Sequence, residues 1–409
     1  MAKIHKIYSN KDGKIIYEEK KSVKKRERVN ILYYRYEISK EKIAKEEKVS
    51  LNFVKRWIQE EDMDFEKDDR GWPKGKLRKW DRKTIERIER IRKELEQTSY
   101  YIGSTAVEME WRKRYSEPPP PLRTIGRIVS DLGLSTKGKK KREKGAARYL
   151  CYPEHTIYNL LGNRVVEVDF IGERYLTGGI GPLNFFGFSC KKSPKLRYYM
   201  RVEGQTSSEI ERCLRYFIEE FERPHYIKID NCAAAKGSLS GKRSISKAVL
   251  YLLEQQVIPI FSVPRRPFTQ ASIEGSNSVF SKKFWNRINF NSLDHLDEKL
   301  EDFNEVTLRY KGYKRPEEPR ELEEDFEPKI YFTRQVQEQE GKDEGFIKLV
   351  NEEISIEKRF IKYFVLAEWD LKSERLMIRF EQEKESKIIK EIDFKINKTT
   401  REKCVGRIL

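Results

Sequence analysis

Two short apolar runs, each ending in an aspartate, constrain this chain more than any other feature. Val165-Val166-Glu167-Val168-Asp169-Phe170 and Tyr226-Ile227-Lys228-Ile229-Asp230-Asn231 have the length and residue types of buried strands, and each delivers a carboxylate at its end. A third acid, Glu274, lies in Ser272-Ile273-Glu274-Gly275-Ser276-Asn277, which reads as the opening of a helix. An ionised carboxylate at the end of an apolar strand is costly to desolvate unless something pairs with it. Two strand ends and one helix acid together suit divalent metal, because Mg²⁺ sites use a few carboxylates plus substrate phosphates. Two ions roughly 3.5–4 Å apart would serve an in-line displacement on a phosphodiester. Each acid alone has a plainer reading. Asp169 would cap a turn, Asp230-Asn231 would be a turn, and Glu274 would be a first-turn acid favoured by the helix dipole.

Composition narrows the context. A chain of 409 residues is too long for one ordinary domain, and three or four is the expectation. Charged residues make up 37%, against about 25% in typical domains, so several small, surface-rich domains fit better than one large core. The net charge of +18 is uneven: residues 1–150 hold 41 Lys/Arg against 25 Asp/Glu, a surplus of 16. That asymmetry is the footprint of a nucleic-acid-binding half. The five cysteines are scattered with no Cys-x-x-Cys, and the four histidines are dispersed, so no zinc site is expected, and free thiols in a reducing cytosol are. No apolar run approaches the roughly 20 residues of a membrane span, and the amino terminus lacks a signal core. The expectation is a cytoplasmic protein without membrane contact.

Residues 1–65 read as a first helix-turn-helix domain. Val29, Ile31, Leu32 and Tyr34 mark one helix; Ser39 caps a second carrying Ile43 and Ala44; Ser50 caps a third over Leu51–Gln59 with Val54, Trp57 and Ile58 inward. Lys55 and Arg56 stay on the outer face of that third helix, where a major groove would meet it. Residues 66–79 read as linker. Residues 80–135 form a second helical unit: an amphipathic helix Arg82–Leu95, a helix Thr105–Tyr115, a proline spacer 118–121, and Leu122–Leu132 with Arg123 and Arg127 on one side. Residues 136–161 are a basic linker. Residues 162–315 are the core, with Tyr175–Ile180, carrying a Gly178-Gly179 hairpin turn, and then Phe185–Ser189 and Leu196–Val202 expected as further strands after the first acid. A helix capped by Thr206 and Glu209 would precede Tyr226–Asp230, and another helix and strand would fill 249–263. Residues 316–342 read as an acidic linker, and 343–409, with five short strands, as a small β-barrel.

Val-Asp-Phe (168–170), Ile-Asp-Asn (229–231) and Glu-x-x-Asn (274–277), with Gln205-Thr206-Ser207-Ser208-Glu209 between the first two and Phe303-Asn304 in a closing helix, resemble the catalytic core of the DDE transposases and retroviral-type integrases. The likeness is strongest to bacterial insertion-sequence transposases that begin with paired helix-turn-helix units, and spans roughly residues 25–310. It implies a multidomain chain: all-α helix-turn-helix units, an α/β RNase H-like core, and a small all-β barrel. It also implies a transposase or integrase that binds terminal inverted repeats, cuts element ends and joins a 3′-hydroxyl to target DNA. Asp169, Asp230 and Glu274 would be the catalytic and metal residues, holding two Mg²⁺ (or Mn²⁺) ions, with Asn231 and Asn277 in support. Lys55, Arg56, Arg123 and Arg127 would contact DNA, and Lys282 and Lys283, with Arg287, would grip a DNA end. The partners would be double-stranded DNA, both element ends and target, and further copies of the chain. A nucleoid-associated setting of prokaryotic, phage or mobile-element origin follows. The chain departs from the family in two places: 43 residues separate Asp230 from Glu274, with Lys236–Lys247 reading as an inserted basic loop, and Ser281 stands where a basic residue is common. Two other readings remain open, a DNA-binding regulator with an inert core and a nuclease that never joins.

Overall fold

The computed structural model describes residues 7–9, 15–18, 25–61, 80–135, 164–237, 241–339, 341, 343–382 and 385–408. The chain divides into two compact units, Met1–Thr84 and Ile85–Leu409. The basic linker 136–161 and the linker 66–79 lie outside the described residues. No described helix is long and apolar enough to cross a membrane.

The first unit holds a short hairpin, β1 (Ile7–Ser9) and β2 (Ile15–Glu18), and three helices: α1 (Lys25–Tyr34), α2 (Lys40–Glu47) and α3 (Leu51–Arg56). Ser39 and Ser50 cap α2 and α3, their hydroxyls accepting from Lys42 N and Phe53 N. Val29, Leu32, Ile43, Val54 and Trp57 close a small apolar cluster. Such a core is too small to fix three helices alone, and polar ties add to it. Glu47 accepts both Arg28 Nε (2.9 Å) and Nη2 (2.5 Å) in a buried pair, and Asn30 Nδ2 donates to the carbonyls of Trp57 and Glu60 just beyond α3.

The second unit is organised by a nine-stranded sheet. Its strands are β3 (Val165–Arg174), β4 (Leu183–Cys190), β5 (Leu196–Val202), β6 (Tyr226–Ile229), β7 (Ile258–Phe261), β8 (Lys329–Gln335), β12 (Phe364–Asp370), β13 (Arg375–Gln382) and β14 (Glu385–Asp393). They lie in the order β14-β13-β12-β8-β7-β6-β3-β4-β5. The central β3, β6, β7 and β8 run parallel, and the flanking pairs are antiparallel. Both faces are covered, which is why β4, Leu-Asn-Phe-Phe-Gly-Phe-Ser-Cys, is buried at every position. One face packs Phe186 and Phe188 against α7 (Ser207–Glu220) and α9 (Lys247–Glu254), with the short α8 (Ala233–Lys236) between these two in the chain. The other packs Phe185 and Tyr199 against α10 (Ala271–Phe280) and α11 (Leu293–Lys311). Asn304 of α11 closes the open edge of β5, its amide giving and taking one hydrogen bond each with the Tyr199 backbone (2.7 and 3.0 Å).

Three sequence expectations change. Residues 175–180 hold the expected turn but no strand: Gly179 N donates to Leu176 O and Leu176 N to Ile180 O, because β3 runs on to Arg174 and pairs directly with β4. The helices α4 (Arg82–Thr98), α5 (Ser104–Arg114) and α6 (Leu122–Asp131) share one apolar cluster with the core rather than standing apart from it. Tyr101 stacks on Tyr310 of α11 at 4.0 Å, and Tyr100 meets Phe303 edge-on at 5.0 Å. Arg287 is taken up in the same seam: it donates to the carbonyls of Glu96 and Tyr100 at the end of α4.

The third change is at the carboxy terminus. The five expected strands are present as β10 (Glu344–Leu349), β11 (Glu352–Glu357), β12, β13 and β14, but they do not close into a barrel of their own. The acidic stretch read as linker contains a sixth, β8, whose Ile330-Tyr331-Phe332 run pairs in parallel with β7. β12, β13 and β14 then extend the central sheet, while β9 (Gln337–Glu338), β10 and β11 form a separate three-stranded sheet. Trp369, Leu376, Ile378 and Phe394 belong to the same apolar cluster as Val166 and Phe217, so burial is continuous from the core to this end. The basic stretch around Arg243 helps to fasten it. Arg243 makes a two-pronged ion pair with Glu352 of β11 (2.7 and 3.0 Å), its N–H donates to Val350 O, and its guanidinium lies 4.9 Å from the Phe394 ring centre.

Candidate active site

The strand ends deliver their acids into one cleft of about 420 Å³. Asp169, Asp230 and Glu274 all line it, together with Asn231, Cys232, Lys236, Ser262, Arg265, Arg266 and Gln270. β3 and β6 are parallel neighbours with Glu167 opposite Lys228, so their next same-face residues, Asp169 and Asp230, emerge side by side. Glu274 arrives from the first turn of α10, which crosses close to β4 at Gly187, the register partner of Asp169. A Cβ at Gly187 would come 3.3 Å from Ile273 Cδ1 and 3.4 Å from Asn277 Oδ1, so the small residue admits the helix.

Burial first, and the neighbouring Asp230 charge second, push the Asp169 carboxyl up to about 7, with a smaller contribution from Glu274. Asn277 opposes this by donating to Asp169 Oδ2 at 3.0 Å. The Glu274 carboxyl is raised by burial and by Glu167. The Cys232 thiol is pushed up to about 12 by burial and by Asp230. Asp230 Oδ1 accepts from Cys232 N at 3.1 Å, a local turn that fixes the carboxylate. Next to it, Asn231 donates to Ser262 O and accepts Arg334 Nη2 at 2.8 Å. Among the described residues no group of three or more His, Cys, Asp or Glu side chains is gathered closely enough to hold a metal ion.

Of the other residues singled out in the sequence, Arg123 and Arg127 are exposed on α6, and Lys55 and Arg56 are exposed on α3 of the first unit. Lys282 and Lys283 lie in a single π turn, Ser281–Trp285, that continues α10 beyond the cleft lining. Lys282 is exposed; Lys283 is half-buried, and burial, then Arg287 and Arg92, lower its pKa.

Three supporting residues escaped the sequence reading. Glu167 is buried two positions before Asp169, and its Oε2 accepts Ser272 N (2.8 Å) and Ile273 N (2.9 Å) at the amino end of α10. Lys228, buried two positions before Asp230, donates to Thr269 O just ahead of the same helix. Arg334 reaches in from β8. A charge interrupting each apolar strand was a visible signal for the first two; nothing local marked Arg334. Glu167→Ala should cost about 3 kcal/mol of stability, since two helix-end donors lose a charged acceptor, and urea melts would check it.

Solved structures similar to this chain share little sequence with it. A chain of the simian T-cell lymphotropic virus intasome, in complex with a PP2A regulatory subunit, is 13% identical at a TM-score of 0.31, over 73% of this chain and 95% of that one. The Mos1 transposase paired-end complex with the left transposon end gives 11% and 0.25, over 71% and 94%. The Mos1 strand transfer complex also gives 11% and 0.25, over 70% and 92%. No family model and no curated protein matches the chain. At such scores the likeness carries no argument, and any function has to be read from the cleft itself.

Proposed function

We propose that this protein is a Mg²⁺- or Mn²⁺-dependent DNA polynucleotidyl transferase of the transposase or integrase type. It would cut element ends and join the exposed 3′-hydroxyl directly to target DNA, with no covalent protein–DNA intermediate. One observation carries the reading: Asp169, Asp230 and Glu274 share a cleft in which the Asp169 carboxyl is held up at about 7 by burial and like charge. Such a donor set calls for cations, and three hard carboxylate oxygens suit Mg²⁺ or Mn²⁺. These three residues would hold two ions, which when bound supply an activated nucleophile and a stabilised leaving oxygen for in-line displacement at phosphorus. Asn277 would hold Asp169 in its rotamer, and Asn231, tied between Ser262 and Arg334, would fix the backbone beside Asp230. Exposed Lys55 and Arg56 on α3, and Arg123 and Arg127 on α6, suit terminal-repeat binding; Lys282 and Lys283 suit phosphates near a cut end. Two copies or more would bridge the paired ends.

The test is strand transfer on DNA flanking the gene, with Mn²⁺ or Mg²⁺, comparing wild type with Asp230→Asn. Joined products should fall by about a hundredfold or more in the variant. Mn²⁺ titration followed by thermal melting should stabilise wild type and stabilise Asp230→Asn less. The second reading is a DNA-binding regulator with an inert core. DNA binding with neither Mn²⁺ stabilisation nor cut products would establish it. Hydrolysed but never joined ends would instead indicate a nuclease.

A further inference from the structure

The cleft that holds the acids also contains a strained cation. Arg266 N donates to Val263 O at 3.3 Å, so Val263–Arg266 is a β-turn with Pro264 second and Arg265 third. Arg265 has φ +56°. A proline turn with positive φ at its third position favours Gly or Asn there, and a longer side chain carries a steric penalty. Lys48 and Arg243, two other non-glycine residues with positive φ, have visible work. Lys48 closes α2 through backbone hydrogen bonds, and Arg243 is locked onto Glu352. The exposed Arg265 side chain has no hydrogen bond or ion pair among the described residues. Strain of this kind clusters at functional sites and points from the outlier to a role.

Lys236 lines the same cleft, half-buried, and its ammonium has no hydrogen-bond partner among the described residues. The third cation of the lining, Arg266, is occupied by Gln335 Oε1 at 3.1 Å. Two cations that have no hydrogen-bond or ion-pair partner among the described residues therefore line one cleft with three carboxylates, Lys236 feeling the Asp230 charge. Carboxylates that take metal and cations that take phosphate are complementary parts of a phosphodiester site. We infer that Arg265, assisted by Lys236, forms a phosphate subsite that seats a DNA backbone phosphate beside Asp169, Asp230 and Glu274. The inference rests on the DNA-processing reading above. The turn leads through the short Pro267–Gln270 segment straight into α10, so a phosphate held there is held relative to Glu274.

Two probes separate the inference from the reading it rests on. The first is inorganic pyrophosphate in EDTA at constant ionic strength, followed by thermal melting, which needs no catalysis. Pyrophosphate should stabilise wild type and Asp230→Asn but not Arg265→Gly, with Arg265→Lys between. The second is Mn²⁺-supported nicking of supercoiled plasmid at saturating DNA, where Arg265→Gly should slow the rate by about tenfold. Without ligand, Arg265→Gly should melt about 2 °C higher, because glycine accepts the turn geometry. Equal pyrophosphate binding by wild type and Arg265→Gly overturns the subsite whether or not the protein cuts DNA. A lower melting temperature for Arg265→Gly also overturns it, by making Arg265 structural. Loss of pyrophosphate binding in Arg265→Gly, in a protein that never nicks DNA, upholds the subsite and removes only the transferase reading.

Discussion

Replacing Asp169 with asparagine should make the protein more stable in EDTA and, on the proposed function, slow DNA cutting. Aspartate ordinarily ionises near 3.8, and in the folded chain burial and Asp230 raise this to about 7. The folded state therefore holds the proton more tightly than the unfolded chain. Stability attached to this group is full below pH 4 and is lost as pH rises to about 7. At pH 8 in EDTA the ionised carboxylate works against folding by about 4–5 kcal/mol, since every tenfold difference in proton affinity between the folded and unfolded chain is worth about 1.4 kcal/mol. Asp169→Asn removes that charge, so it should unfold about 2–4 kcal/mol less readily at pH 8 and show little difference at pH 4. Cleavage in Mn²⁺ should fall by about a hundredfold or more. Denaturant melts at several pH values, with and without Mn²⁺, would check both halves. A variant no more stable than wild type at pH 8 would sink the electrostatic account of the cleft.

Arg334→Met should have the largest structural effect of any single change near the site. Arg334 is buried, and burial alone pushes its guanidinium down to about 9. Its four hydrogen bonds all end on neutral oxygens: Asn231 Oδ1 (2.8 Å), Ser262 O (3.0 Å), Thr333 O (2.8 Å) and Lys348 O (2.8 Å). One side chain thus joins β8, β10 and the end of β7 to the residue after Asp230. Methionine fills the volume but leaves buried acceptors unsatisfied, a cost of about 3–5 kcal/mol. Arg334→Lys keeps a cation but not the planar fork, and should recover less than half of the loss. Urea melts would read the stability. Cleavage assayed at a temperature where the variant is still folded should fall by about tenfold through misplacement of Asp230. Wild-type cleavage by folded Arg334→Met would separate the carboxy-terminal strands from the chemistry.

Much of the local structure was legible in the residues. Ser39, Ser50 and Thr206 are helix caps because a hydroxyl can satisfy a free backbone N–H, and that chemistry is local. Val165–Asp169 and Tyr226–Asp230 were readable as buried strands ending in acids, since apolar runs of that length have few other solutions. The presence of short strands in the carboxy-terminal region was equally plain.

Their partners were not. Periodicity shows which face of a strand is buried but not which strand lies beside it, so a set that reads as a barrel extends the central sheet instead. β8 was hidden because the acidic, proline-bearing residues just before it set the composition of the stretch. Gly187, Glu167, Lys228 and Arg334 illustrate the same division at the site. Each lies on an ordinary strand, and each matters because of what folding lays against it: a helix crossing at Gly187, helix-end donors meeting Glu167, and a carbonyl of the preceding turn meeting Lys228. The sequence by itself determined the identity of the three acids and the strands and helix that bear them, because propensity, capping and apolar pattern act over a few residues. Only the tertiary structure decided that these acids share one cleft, that three cations line it, and that a guanidinium 103 residues beyond Asn231 ties down that lining residue. Burial and electrostatics depend on distance in space, which a linear spacing does not encode.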